Sequence, residues 1–221
     1  KIIITDNERK RIFEIFTKTS DILILDELIA NSENIKNPEV DYQLEKSPSD
    51  VEAAMLYTSG TTGKPKGALI SHKNLIANAQ SLTNAWDWSQ DDVLLHALPV
   101  FHVHGLFVGL NLPLMNGSSI IYLDKFSSKE VVKILPKSTV FMGVPTYYVR
   151  MLAESGLTKD SCRKIRVFIS GSAPLLEQTS LEFKKKTGHE IVERYGMTET
   201  GMNTSNPLQG FRKSGSVGIP L

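Results

Sequence analysis

The chain has 221 residues, 41% of them hydrophobic, and its 25 Lys and Arg against 24 Asp and Glu leave a net charge of +1. So balanced a composition excludes the broad positive field that nucleic acid or an anionic membrane surface demands, and the length allows one substantial core with a smaller appendage. A single cysteine, Cys162, rules out an internal disulfide and fits a reducing compartment, while the longest apolar run, over 100–115, is interrupted by histidines, an asparagine and a proline and is too short to span a bilayer. The opening Lys1-Ile2-Ile3-Ile4 carries neither an initiator methionine nor a signal peptide, so a piece of a longer protein is expected, with cytosol and mitochondrial matrix both open.

In chain order, residues 1–5 read as a strand, 7–18 as an amphipathic helix and 21–25 as a second strand. Residues 31–50 hold two prolines and many polar side chains and read as a linker. The expected organisation is the end of an N-terminal α/β subdomain with its linker over 1–50 and a second α/β subdomain over 51–221. A buried-looking strand over 51–57 runs into Thr58-Ser59-Gly60-Thr61-Thr62-Gly63-Lys64-Pro65-Lys66-Gly67, and residues 67–70 read as a short returning strand. Ser71 then caps a helix with Leu75, Ala79 and Leu82 on one face.

Strands follow over 93–98, 119–123, 139–143, 165–170 and 190–194, alternating with helices over 102–115, 127–135, 145–155 and 175–187. Gly117 and Gly188 are placed to end two of these helices, Ser127 and Glu130 form a capping box, and Pro145 opens another helix. Short apolar strands alternating with such helices predict an α/β fold with a mainly parallel sheet covered on both faces. Ligands of such sheets gather beyond the carboxyl ends of the strands, so the segments after Tyr57, Leu98, Gly143, Ser170 and Arg194 are expected to line one cleft.

The glycine- and hydroxyl-rich loop from Thr58 to Gly67 offers backbone N–H groups, hydroxyl donors and two lysines, an inventory that suits a polyphosphate; a turn-rich surface loop is the alternative. It departs from the G-x-x-x-x-G-K-[ST] pattern because Pro65 follows Lys64 and blocks helix entry, so it reads as a flap between strands. Gly171-Ser172-Ala173-Pro174 is small enough to admit a flat ring against the backbone, or is only a turn. Glu193-Arg194-Tyr195-Gly196-Met197-Thr198-Glu199 combines an aromatic for stacking, a hydroxyl for a phosphate oxygen and a carboxylate for Mg²⁺, or is the solvated start of a helix. His102 and His104 lack a third clear ligand for zinc and read as core or pocket histidines. Arg150 is the sole cation of an otherwise apolar helix, and from spacing alone pairs with Glu154.

Together these segments resemble the adenylate-forming superfamily of acyl-CoA synthetases, luciferases and peptide-synthetase adenylation domains, over essentially 51–221. The loop Thr58 to Gly67 is similar to that family's phosphate signature, Tyr195 to Glu199 to its second signature and Gly171 to Pro174 to its adenine-side loop. Leu95-His96-Ala97-Leu98-Pro99, His102 to Phe107, Met142 to Thr146 and Glu193 to Thr200 followed by Met202 to Pro207 look most like the malonyl-CoA synthetases.

The resemblance implies ATP, Mg²⁺ and coenzyme A as cofactor and co-substrates, and malonate or methylmalonate as the acid. It implies Thr58, Ser59, Gly60, Thr61, Thr62, Gly63 and Lys66 around the triphosphate, Thr198 on the α-phosphate and Glu199 on Mg²⁺. Gly171, Ala173, Pro174, Glu193, Tyr195 and Gly196 would surround the nucleotide, and His102, Met202 and Asn203 the acyl group. Arg150 would read the far carboxylate. A ligase for a monocarboxylic acid and a non-catalytic nucleotide-binding module are the competing readings. The family's ribose-binding aspartate, hinge and lysine-bearing C-terminal domain would follow Leu221, so these residues alone are expected to turn over poorly.

Overall fold

The computed structural model describes residues 2–5, 21–24, 48–59, 63–213 and 215–221, and the chain divides into two compact units, Lys1–Lys46 and Ser47–Leu221. In the first unit, β1 (Ile2–Thr5) and β2 (Asp21–Ile24) pair in parallel, Ile2 opposite Asp21. The helix expected over 7–18 and most of the linker over 31–50 lie outside the described residues.

The second unit is built on seven strands in the order β11-β10-β9-β8-β7-β5-β6. Its parallel members are β5 (Val93–His96), β6 (Ser119–Tyr122), β7 (Val140–Gly143), β8 (Val167–Ser170) and β9 (Ile191–Met197). Every residue of β7 and β8 is buried, as strands covered on both faces must be. Their alternation divides the core in two. Leu95, Phe141, Phe168 and Ile191 face one apolar cluster, and Leu94, Val140, Met142, Val167, Ile169 and Val192 face the other.

Helices α3 (Ser128–Ile134), α4 (Pro145–Leu152) and α5 (Glu177–Thr187) cover the first face, where Phe141, Tyr148, Phe168 and Phe183 meet edge to face. Helices α1 (His72–Ala85) and α2 (Asn111–Asn116) cover the second. The mixed α/β class with helices on both faces is therefore as the sequence indicates.

Local chemistry sets the ends of these helices. Ser71 and Asn74 form a reciprocal capping box on α1, and Gly117 and Gly188 end α2 and α5 in the left-handed region at φ 64° and 82°. Ser127 accepts the Glu130 N–H, which is half of the box expected there.

Three departures from the sequence reading matter. Strand β3 (Glu52–Thr58) is not buried: among the described residues it pairs only with β4 (Lys66–Ser71), antiparallel, and leaves Met55 53% and Tyr57 71% exposed. The single helix expected over 102–115 is instead a π-helical turn, His104–Val108, followed by α2; a Cβ on Gly105 would lie 2.1 Å from the Pro99 carbonyl oxygen, so backbone packs there where a side chain cannot. Strand β9 continues to Met197 and turns back as β10 (Gly201–Ser205), antiparallel, with β11 (Ile219–Pro220) beside it. Met-Asn-Thr-Ser gives little apolar alternation, so that strand is silent in the sequence.

At the amino ends of β5, β7 and β8 one ionic staple joins the strands. Arg166 donates Nε and Nη2 to the two oxygens of Asp92, each at 2.7 Å, and Nη1 to the Trp86 carbonyl at 2.7 Å. Thr139 donates its hydroxyl to Asp92 at 2.7 Å and accepts the Val93 N–H. Burial alone would raise the Asp92 pKa, but the Arg166 fork, the Ser89 N–H, Thr139 and the guanidinium charge together hold it below the usual value.

A depressed pKa in the folded state means stabilisation that is fully present above the unfolded value and disappears as pH falls through the folded one. Asp92→Asn is expected to lose about 3 kcal/mol at neutral pH and to show a shallower loss of stability below about pH 4 than the wild type. Urea melts of both proteins at neutral and acid pH test this, and equal midpoints at neutral pH would refute the staple.

Candidate active site

The carboxyl ends of the strands converge on four adjoining cavities. The central one, about 530 Å³, has Thr58 and Ser59 from the end of β3, Lys66 from the start of β4, His102 and Val103 from the loop after β5, and Ser172 from the loop after β8. Arg194, Gly196 and Met197 of β9, the Thr198–Glu199 turn and Met202 of β10 complete it. A second cavity, about 390 Å³, shares Ser172, Arg194 and Gly196 with the first and adds Ala173, Pro174, Glu193 and Tyr195. A third, about 200 Å³ and mostly apolar, lies among Leu98, Pro99, Val144 and Tyr147 and shares His102 and Ser172. A fourth, about 260 Å³, lies between α1, the π-helical turn and β10. The five strand ends expected to meet do meet.

Most residues singled out in the sequence are brought together here. Gly60, Thr61 and Thr62 lie outside the described residues, and Gly63 takes φ +79°, a conformation that favours glycine. Glu193 is buried and commits its carboxylate to the Gly215 N–H at 3.0 Å and to the Leu175 N–H; burial nevertheless raises its pKa. Asn203 sits at the β9–β10 register shift, and its carbonyl accepts the Leu221 N–H.

Arg150 lines none of these four cavities. It is an exposed residue of α4 with its guanidinium 4.9 Å from the centroid of the Phe126 ring, which stacks on Tyr147 of the third cavity's wall. The Glu154 pair expected from spacing is not formed either, and the Glu154 carboxylate instead accepts the Ser128 hydroxyl at 2.6 Å.

Besides Lys66, the cleft holds a buried cation, Arg194, which sequence reasoning passed over. It is 3% exposed, and its Nε and Nη2 have no hydrogen-bond partner among the described residues. Burial pushes its pKa down to about 10, partly offset by the Tyr148 phenol, so it remains a cation at neutral pH. Gly171 makes room for it: a Cβ there would sit 2.4 Å from the guanidinium carbon. The signal was present in the sequence, since two adjacent charges, Glu193 and Arg194, interrupt a strand that otherwise reads as core.

Around Arg194 the imidazoles are kept neutral. His104 is 2% exposed, its Nδ1 is 3.4 Å from the Ser172 hydroxyl and its Nε2 has no partner among the described residues. Burial first, then the charge of Arg194, hold its pKa well below the usual value. His102 accepts the His104 N–H on Nδ1 at 3.2 Å, and burial and Arg194 lower its pKa too. With Nδ1 accepting, the proton of neutral His102 is on Nε2, which makes that nitrogen a donor. Ser172 holds φ +68°, a left-handed conformation costly for a residue with a Cβ.

Glu199 is an exposed carboxylate beside Thr198. Among the described residues no group of three or more His, Cys, Asp or Glu gathers to cage a metal. One carboxylate is nonetheless the donor set of a Mg²⁺ ion that keeps most of its waters and arrives on phosphates. No helix among the described residues is long and apolar enough to cross a membrane.

The model of the AMP-binding enzyme family matches residues 1–221. The mitochondrial malonate–CoA ligase ACSF3 of Mus musculus is 44% identical over 188 residues, covering 78% of this chain and 32% of that protein, so the chain spans about a third of the length of such relatives. The crystal structure of ATP-bound MatB from Rhodopseudomonas palustris superposes with a TM-score of 0.90 at 44% identity, over 100% of this chain and 45% of that one. A malonyl-CoA ligase in ternary product complex with methylmalonyl-CoA and AMP has a TM-score of 0.80 at 35% identity, over 91% of this chain and 43% of its own. The chain belongs to the AMP-binding enzyme family.

Proposed function

We propose that this chain is the nucleotide- and acid-binding part of an ATP-dependent ligase that activates malonate or methylmalonate as an acyl-adenylate and passes it to coenzyme A. The observation that carries the reading is the desolvated Arg194 guanidinium, which has donors to give and, among the described residues, no partner to take them. A monocarboxylic acid offers it nothing once the reacting carboxylate is committed to phosphorus. A second carboxylate offers a bidentate, charge-assisted partner. Arg194 therefore takes the role that the resemblance assigned to Arg150.

In this reading Thr58, Ser59 and Lys66, with Gly60, Thr61, Thr62 and Gly63, hold the triphosphate, and Thr198 holds the α-phosphate. Ala173, Pro174 and Tyr195 flank adenine, with Glu193 and Gly171 fixing the backbone around them. His102 donates Nε2–H to the acid, orienting its reacting carboxylate toward phosphorus, and Met202 and Asn203 bound the acyl group. Glu199 would hold Mg²⁺, which when bound neutralises charge on the phosphates.

The carboxylate oxygen attacks the α-phosphorus, a P–O bond to pyrophosphate breaks, and the acyl-adenylate forms. The thiol of coenzyme A then attacks the acyl carbon and AMP leaves. The apolar third cavity, opening past His102, suits the uncharged arm of that thiol. Positioning and fixed charge supply most of the catalysis in such a displacement, so no nucleophilic side chain is required.

Arg194→Ala in the full-length protein is expected to lower kcat/KM for malonate by about 10²–10³, the cost of a lost buried carboxylate contact, with the KM for ATP within about twofold of wild type. Arg150→Ala is expected to change malonate kinetics less than about twofold. Initial rates with malonate, methylmalonate, acetate and octanoate decide the matter, and a larger effect at Arg150 than at Arg194 would reverse the assignment.

Because an unpaired buried cation destabilises its own fold, Arg194→Met is expected to raise the unfolding free energy by about 1–3 kcal/mol while removing malonate binding. Thermal melts with and without malonate check both halves. Malonate should raise Tm for the wild type only, and an Arg194→Met protein less stable than wild type would contradict the claim.

A further inference from the structure

Met202 is common to the central cavity and the fourth cavity beside α1, and with Val103 it forms much of the wall between them. Methionine is a poor wall in itself, being unbranched and free about three side-chain bonds. Here it is held from two sides. Beneath it lies Gly196, where an added Cβ would meet the Met202 Cε at 2.6 Å and its Sδ at 2.8 Å, so the thioether lies flat against the β9 backbone. From above, Asn78 of α1 takes both main-chain polar groups of Met202: Nδ2 donates to the carbonyl oxygen at 2.9 Å and Oδ1 accepts the N–H at 3.1 Å.

That double contact stands where a neighbouring strand would otherwise pair. The β9–β10 register shifts between Met202 and Thr204, a point at which a strand is free to bend and its side chains to re-aim. Gly201, at φ +70°, lets the carboxamide in, since a Cβ there would lie 2.7 Å from Asn78 Oδ1. Behind Met202, Leu75, Phe107 and Val108 enclose about 260 Å³, room for several carbon atoms beside the reacting acid.

We propose that Asn78 is a specificity-determining positioning residue: by holding Met202 across the opening between the two cavities, it fixes how much bulk the acid carries next to its reacting carboxyl. The proposal rests on the ligase reading above for the identity of the acid, but not for the hold on Met202. Asn78 touches neither the acid nor the nucleotide in this scheme.

The test compares wild type, Asn78→Ala and Asn78→Asp as full-length proteins. Asn78→Asp keeps the shape and the acceptor for the Met202 N–H but sets an oxygen against its carbonyl. Preference for malonate over ethylmalonate, read as a ratio of kcat/KM, should fall about tenfold or more in Asn78→Ala and by an intermediate factor in Asn78→Asp, with the KM for ATP within about twofold throughout. The same ratio for propionate against 2-methylbutyrate serves if the wild type ignores malonate, a result that removes the ligand assignment and leaves the hold on Met202 to be judged by that pair.

Methyl-labelled methionine NMR gives a readout independent of turnover, since the chain has 6 methionines. The Met202 methyl should be restrained in the wild type and motionally averaged in Asn78→Ala. An unchanged selectivity ratio, an unchanged Met202 methyl, or a parallel decline for every acid and for ATP would each overturn the proposal.

Discussion

A guanidinium held out of water with no counter-charge costs several kcal/mol, and the carboxyl edge of the sheet is arranged around that cost. Gly171 is a glycine because Arg194 lies against it. The Tyr148 phenol, pinned to the Ile169 carbonyl at 2.6 Å, partly offsets the desolvation of Arg194, while His104 is kept neutral in part by the cation's field. Ser172 accepts a strained backbone in the turn that passes between them.

The two ends of the parallel strands are chemically unlike. At the amino ends, Asp92, Arg166 and Thr139 satisfy one another, and the Trp86 carbonyl completes the set. Among the described residues, the buried polar side-chain atoms left without a partner belong to His96, His104, Ser170, Arg194 and Thr204. His96 ends β5, Ser170 ends β8 and Arg194 lies in the outer part of β9, all toward the cleft. Satisfied groups lock strands together, and of the unsatisfied ones His104, Ser170 and Arg194 line the cavities. Helix α1 links the two regimes. It follows the β3–β4 hairpin directly and is fastened to β10 twice, by Asn78 at Met202 and by the Trp86 indole N–H at the Ser205 hydroxyl.

Much of this was legible in the residues, and what was not has physical reasons. The parallel sheet could be read because continuous apolar strands and capped helices leave strong periodic signals, as at Ser71, Pro145 and Gly188. That the loop after Thr58 joins two strands could be read from Pro65, which blocks helix entry after Lys64. Strand β10 could not, because its pairing with β9 is broken by a bulge and its side chains are mixed in polarity. Arg150 drew notice as a lone cation on an apolar helix, yet a helix surface gives a long side chain an easy way out to solvent. Arg194 drew none, although a charge in a buried strand calls for either a partner or a ligand. The two arginines differ in location, one on an exposed helix surface and one in a buried strand.

The neutral imidazoles have a consequence for what an incoming acid meets. Burial lowers the pKa of His102 and holds that of His104 well below the usual value, while Arg194 keeps its proton up to about 10. Around neutral pH the cleft therefore presents neutral imidazoles beside a charged guanidinium.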